Sequence, residues 1–138
     1  MQIGELARRF GVTVEAIRYY EREGLMPRAR RTSANYRVYD EHHAEQLSFI
    51  LNCRSLDMSQ DEIRQLLTAR GTPSHACSEV NELIDSHIVE LGHRIRSLKQ
   101  LLLELKSLRQ SCNDARTVQQ CEILSTLSRA ARKRRTRA

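Results

Sequence analysis

The chain is poor in residues that turn or break a backbone, since its 138 residues include only two prolines and five glycines. This scarcity argues against a turn-rich sandwich or barrel and favours helices. Long apolar runs are also lacking, because Leu101, Leu102 and Leu103 make as long a run of large apolar residues as any. We therefore expect no membrane-spanning segment. The first residues show no apolar signal segment either, which predicts a cytoplasmic protein whose four cysteines are reduced.

Basic charge is concentrated at the two ends of the chain. Residues 1–39 hold 8 Lys/Arg against 4 Asp/Glu, and the last ten residues hold 6 against none. The N-terminal excess lies in a patterned segment and indicates a nucleic-acid-binding face. The basic tail has no apolar pattern and is predicted to be a solvated extension of the last helix, with a non-specific nucleic-acid contact as the alternative.

The first part of the chain has the pattern of a helix-turn-helix. Apolar residues at helix spacing predict a short first helix that ends at Gly11. Thr13 can cap a second helix, which Gly24 and Pro27 end. Two short helices joined at a glycine-containing turn make a helix-turn-helix, and its second helix presents Arg18 and Tyr19 outward.

Residues 28–39 change from helical to strand-forming composition, with a turn at Ser33-Ala-Asn35. We expect a hairpin that forms a basic wing, the alternative being a solvated loop; the wing carries Arg30, Arg31, Tyr36 and Arg37.

Two further helices follow the wing. The third starts at Asp40, and the fourth begins with the capping box Ser59-x-x-Glu62 and stops at Gly71. Cys53 lies within the third helix and is predicted to be a buried structural cysteine rather than a ligand.

Residues 78–111 read as one long helix with an apolar face repeated in heptads, for example Ile84, Leu91, Leu98 and Leu105. A lone helix cannot bury such a face, and the chain has no second helix long enough to cover it. We therefore predict a homodimer formed through this helix.

Three cysteines lie at the ends of this helix: Cys77 before it, Cys112 at its end, and Cys121 at the start of a short helix. Thiolates suit soft metal ions, and Cys112 and Cys121 flank a loop. Cys77 is far away in the same chain, because about 33 helical residues span roughly 50 Å. If the two long helices pair antiparallel, Cys77 of one protomer joins Cys112 and Cys121 of the partner subunit.

Other interpretations of these residues remain open. The three thiols could be unrelated, or they could form a structural zinc site with His75, although the Cys-x8-Cys spacing is not typical of zinc. His87 and His93 are interpreted as core or surface residues.

Several segments resemble the signature of MerR-family transcription regulators. They include Ile3-Gly-Glu-Leu-Ala7, Ile17-Arg-Tyr-Tyr-Glu-Arg-Glu-Gly-Leu25 and Asn35-Tyr-Arg-Val-Tyr39. The segment that starts at Cys77 and the Cys112…Cys121-Glu-Ile-Leu segment are similar to the cadmium/lead-responsive branch, of CadR- and PbrR-like proteins. The resemblance covers residues 1–128 and leaves out the basic tail.

The resemblance implies a mainly α fold: a winged helix-turn-helix, a long antiparallel coiled-coil dimerisation helix, and a metal-binding loop with a short helix. The expected boundaries are 1–70 for the DNA-binding domain, 71–77 for a linker, 78–111 for the helix, 112–121 for the loop and 122–138 for the short helix and tail. The implied DNA-binding residues are Thr13, Arg18, Tyr19, Arg31, Tyr36 and Arg37.

The function that follows is a non-enzymatic, heavy-metal-responsive regulator of a resistance operon. Its partners would be double-stranded promoter DNA, RNA polymerase and a second copy of the chain. The effector would be Pb(II) or Cd(II) on Cys77, Cys112 and Cys121, with Cd(II) also recruiting water or His75. The alternatives are a sensor of Hg(II) or Zn(II), a metal-buffering coiled-coil protein that does not bind DNA, and a thiol enzyme.

Overall fold

The structure is a computed structural model that describes residues 1–74, 76–112 and 117–131. The chain forms two compact units, Met1–His87 and Ile88–Ala138. The described residues form helices α1 to α6, a two-stranded sheet and a 3₁₀ helix. In chain order these are α1 (Ile3–Phe10), α2 (Val14–Arg22), β1 (Arg30–Arg31), β2 (Arg37–Val38), α3 (Glu41–Ser55), α4 (Gln60–Arg70), α5 (Ser78–Gln110), the 3₁₀ helix Val118–Gln120, and α6 (Glu122–Leu127).

The turn between α1 and α2 depends on one glycine and one threonine. Gly11 has a φ of 66°, in the left-handed region, and its N–H returns to the carbonyls of Ala7 and Arg8. The Thr13 hydroxyl oxygen accepts a hydrogen bond of 3.1 Å from the Ala16 N–H. The predicted helix-turn-helix and its threonine cap are therefore confirmed.

The predicted wing is also present as an antiparallel hairpin. Arg30 pairs with Val38, and Arg31 pairs with Arg37. Asn35 closes the turn with a φ of 66°, which asparagine tolerates better than most residues. The following Tyr39 is buried and accepts the N-terminal ammonium of Met1 on its carbonyl at 2.7 Å, which ties the wing to the first residue.

Helices α3 and α4 both begin with a capping box. Asp40 and His43 form the first, and Ser59 and Glu62 form the second, as the sequence predicts. These helices complete a core in the first unit around residues with no exposed surface, namely Leu6, Ile17, Leu47, Ile50 and Ile63. Cys53 belongs to the same core, so its predicted structural role is confirmed.

Helix α5 is continuous over 33 residues. Its apolar side chains from Ile88 onward are largely exposed; Leu98 and Leu105, for instance, each keep 62% of their surface. Among the described residues, no helix is long and apolar enough to cross a membrane.

Candidate nucleic-acid interface and metal-binding cysteines

The outer face of α2 carries the residues expected to contact DNA. Ile17 is fully buried in the core, which turns Arg18 and Arg22 toward solvent. Helix spacing puts these two arginines on the same side, because residues four apart lie one turn from each other.

Tyr19 is placed differently from the sequence expectation of a free aromatic. Its ring is 40% exposed, but its hydroxyl donates a 2.8 Å hydrogen bond to Oε1 of Gln60 in α4. The Arg22 guanidinium lies over the ring at 6.0 Å from its centre. Tyr19 therefore fixes α2 against α4 and leaves part of its ring for an external contact.

A basic groove runs between α2 and the wing. It has a volume of about 370 Å³ and contains one acidic side chain, Glu21. The arginines that line it are Arg18, Arg22, Arg28, Arg31 and Arg37. Planar guanidinium groups bind phosphates through paired N–H donors, so this groove has the chemistry of a DNA-backbone contact.

Glu21 is occupied inside the protein rather than left to repel phosphate. Its carboxylate accepts a short hydrogen bond from the Tyr39 hydroxyl. Burial and then this contact with Glu21 raise the pKa of Tyr39 well above its ordinary value, so the tyrosine remains a donor.

The structure brings only some of the predicted DNA-binding residues together. Arg18, Arg31 and Arg37 share the basic groove, whereas Thr13 and Tyr19 line a second groove between α2 and α4. Tyr36 lines neither groove and is 67% exposed at the wing.

Arg22 and Arg28 are additions that sequence reasoning missed. The signal for Arg22 was its spacing of four from Arg18; Arg28 carried no local signal, because only the fold brings it to the groove.

All four cysteines are free, but their environments differ. Cys53 is buried, and burial raises the pKa of its thiol. Cys77 is exposed and directly precedes α5. His75, the expected fourth ligand of a zinc site, lies outside the described residues.

Cys112 and Cys121 are brought into contact in the second unit. Cys121 occupies the N-cap position of α6 without a regular side-chain cap bond. Its thiol pKa is nevertheless lowered, first by the backbone N–H of Leu124 and then by the Cys112 side chain, against the opposing effect of burial. These contacts favour a thiolate, the form of cysteine that binds metals. The connection between the two cysteines also contains the 3₁₀ helix Val118–Gln120, which the sequence analysis did not predict.

Comparisons with known proteins give this architecture a family. The family model for MerR helix-turn-helix regulatory proteins matches residues 1–70, and the model described as MerR, DNA binding, matches residues 44–108. The ZntR homolog of Haemophilus influenzae, an HTH-type transcriptional regulator, is 47% identical over 110 residues, which are 80% of this chain and 82% of that protein. The mercuric resistance operon regulatory protein of Bacillus cereus is 33% identical over 126 residues, covering 91% of this chain and 96% of that protein.

A solved structure agrees with these relatives. The crystal structure of the transcription regulator PbrR691 from Ralstonia metallidurans CH34, in complex with lead(II), superposes with a TM-score of 0.81 at 46% identity. The match covers 93% of this chain and 99% of that one. A winged helix-turn-helix followed by a long helix, with relatives of this kind, defines a DNA-binding transcriptional regulator and not an enzyme. The chain belongs to the MerR family.

Proposed function

We propose that this regulator responds to a soft divalent metal ion and activates a metal-resistance operon, with Pb(II) or Cd(II) as the effector. The observation that carries the proposal is the contact between Cys112 and Cys121, where the pKa of Cys121 is lowered. The lead(II) complex of PbrR691 and the mercuric resistance regulator support a heavy-metal effector.

The ligands would be three thiolates. Cys112 and Cys121 supply two of them from one protomer, and Cys77 of the partner subunit supplies the third. Three thiolates around a divalent ion carry a net charge of −1 and suit soft ions better than hard ones. Lead accepts three ligands in a pyramid, which matches a set without an evident fourth residue.

DNA recognition would use α2 and the wing of each protomer. We assign base or backbone contacts to Thr13, Arg18, Tyr19, Arg31, Tyr36 and Arg37, and add Arg22 and Arg28 from the basic groove. A two-fold dimer of helix-turn-helix units binds a pseudo-palindrome, with its recognition helices in successive major grooves.

The dimer would form through α5, whose exposed apolar side chains need a cover of matching length. The proposed switch keeps the dimer on the promoter with and without metal. In the metal-bound state the dimer bends and untwists the spacer, so that RNA polymerase can use both promoter elements. Deforming a site of this size costs on the order of 1–6 kcal/mol, which must come from unequal metal affinity of the two conformations.

The decisive experiment measures DNA occupancy and DNA distortion together, with and without metal. We expect unchanged occupancy and increased distortion when Pb(II) or Cd(II) is added. Cys121→Ser should retain DNA binding and lose the metal effect, while Ser125→Ala, one turn further along α6, serves as a control that retains both. Loss of occupancy without distortion would replace this switch by simple derepression.

The mercuric resistance relative favours Hg(II) as the second candidate effector. Promoter activation measured metal by metal separates the candidates. Activation by Hg(II) alone would move this chain out of the cadmium/lead branch while leaving its thiolate site intact.

A further inference from the structure

His87 is a buried polar side chain that the proposed regulator does not use. It lies near the start of α5 and is only 5% exposed. Its Nε2 atom lies 2.8 Å from the carbonyl oxygen of Leu56, just beyond the end of α3. A carbonyl can only accept, so Nε2 carries the hydrogen and the ring is fixed in orientation.

The other ring nitrogen faces a carboxylate. Nδ1 of His87 lies 3.0 Å from Oε2 of Glu62, but no hydrogen bond satisfies this buried atom within the described part of the chain. With Nε2 protonated, a neutral ring has a bare lone pair on Nδ1. A lone pair and a carboxylate at this distance repel each other unless a cation is placed between them.

Glu62 is held in position by a separate contact. Its Oε1 atom accepts a 2.9 Å hydrogen bond from the Ser59 N–H in the α4 capping box, which leaves Oε2 for the cation. Glu90 follows His87 by three residues in α5, and helix spacing places it on the same helix face.

The distances suit a metal ion of the first transition series. Two ligand atoms at right angles on an ion with bonds of about 2.1 Å lie about 3.0 Å apart. A histidine that ligates through one nitrogen and donates its other N–H to a backbone carbonyl is the usual arrangement at metal sites. Imidazole and carboxylate suit Zn²⁺, Co²⁺ and Ni²⁺ better than they suit the soft ions expected at the cysteines.

We propose that His87 and Glu62 form a second, non-thiolate site for a borderline divalent cation such as Zn²⁺ or Co²⁺. The bound ion would join the start of α5 to the N-terminus of α4. This site is separate from the cysteines, so it does not depend on the proposed soft-metal response.

The test uses the full chain with Cys77, Cys112 and Cys121 changed to serine, so that thiolates do not take the ion. Titration calorimetry with Co²⁺ and with Zn²⁺ should show one ion per chain. His87→Gln should weaken binding at least tenfold, and Glu62→Gln should do the same while keeping the capping box, since glutamine also serves at that position. Glu79→Gln removes an exposed carboxylate from the first turn of α5 and should leave binding unchanged.

A second measurement protects the test against variants that fold poorly. Substoichiometric Mn²⁺ should selectively broaden the His87 ring resonances in the NMR spectrum of the serine-substituted chain. Absence of ion binding at millimolar metal, or binding that neither His87→Gln nor Glu62→Gln weakens, would overturn the site. The cation beside Nδ1 would then be a proton only.

Discussion

Arg18 and Arg22 stand one helical turn apart on α2, and both line the basic groove beside the wing. Only their spacing along the helix is a local property. The approach of Arg28, Arg31 and Arg37 depends on how the wing packs against α2, with Tyr39 buried beneath it. Single side chains in this groove should therefore differ in their effects on DNA binding according to whether they reach bases or phosphates.

Arg18→Ala should weaken operator binding by about 1–3 kcal/mol if Arg18 reads a base, which is about 5- to 150-fold in Kd. Fluorescence anisotropy at fixed salt measures the change. Lys99→Ala removes the same charge from an exposed position on α5 and should change Kd little. Equal affinities of wild type and Arg18→Ala would show that α2 is not the recognition helix.

Asp40 links the wing to α3 and should contribute to acid stability. Its pKa is lowered, first by the backbone N–H of His43 and then by the His43 side chain. A lowered folded-state pKa means that the stabilisation is fully present above the ordinary value of about 3.9 and is lost as pH falls through the lower folded value. Asp40→Asn keeps a capping side chain, so its unfolding free energy should fall less than that of wild type between about pH 4 and 2.

Urea unfolding at several pH values checks this expectation. Asp85→Asn changes an exposed carboxylate of α5 that caps no helix, and its pH profile should follow the wild type. Identical profiles for wild type and Asp40→Asn would contradict a role for this carboxylate.

Cys121 should be the thiol that reacts at the lowest pH. The Leu124 N–H is the first cause of its lowered pKa, so most of the shift should remain without Cys112. In a Cys77→Ser/Cys112→Ser chain, alkylation of Cys121 should have a midpoint below the value of about 8.5 for a free cysteine. A midpoint at or above that value would remove the argument for a preformed thiolate.

At the scale of elements, caps and turns were predictable because their signals are local. Gly11, Thr13, Asp40 and the Ser59–Glu62 box each act within a few residues of where they stand. The Tyr19–Gln60 hydrogen bond was not predictable, because its partners are 41 residues apart.

The candidate sites show the same division. Spacing and residue type identified Cys112 and Cys121, whereas the contact of His87 with Leu56 and Glu62 depends on how α5 packs against α3 and α4. The 3₁₀ helix Val118–Gln120 carries no strong cap or periodic pattern, so it was read as a loop.

The α4 cap offers a measurable test at this scale. Ser59→Ala removes the acceptor of the Glu62 N–H and should lower the unfolding free energy by about 1 kcal/mol. Gln65→Ala changes an exposed mid-helix residue of α4 and should stay within about 0.5 kcal/mol of wild type. Chemical denaturation at neutral pH compares the three proteins; an unchanged Ser59→Ala protein would mean that the Glu62 side chain alone sustains the cap.

At the scale of the whole molecule, exposed apolar residues along the second unit require a partner. Ile95, Leu98, Leu102 and Leu105 keep more than half of their surface exposed, which is unusual for a monomer. A second copy with the same face satisfies this need by two-fold symmetry. An antiparallel pair would also place Cys77 of one chain beside Cys112 and Cys121 of the partner subunit.

Mixed dimers test this arrangement directly. Cys77→Ser and Cys112→Ser homodimers should each fail to bind Pb(II) tightly, because every site lacks one thiolate. A heterodimer with one substitution per chain keeps one complete site, formed by the intact Cys77 of one chain with Cys112 and Cys121 of the partner subunit. It should bind one Pb(II) per dimer, measured by the ultraviolet lead–thiolate absorption, and release protons on binding. A site confined to one chain predicts no recovery, because both chains of the heterodimer would then hold a broken site.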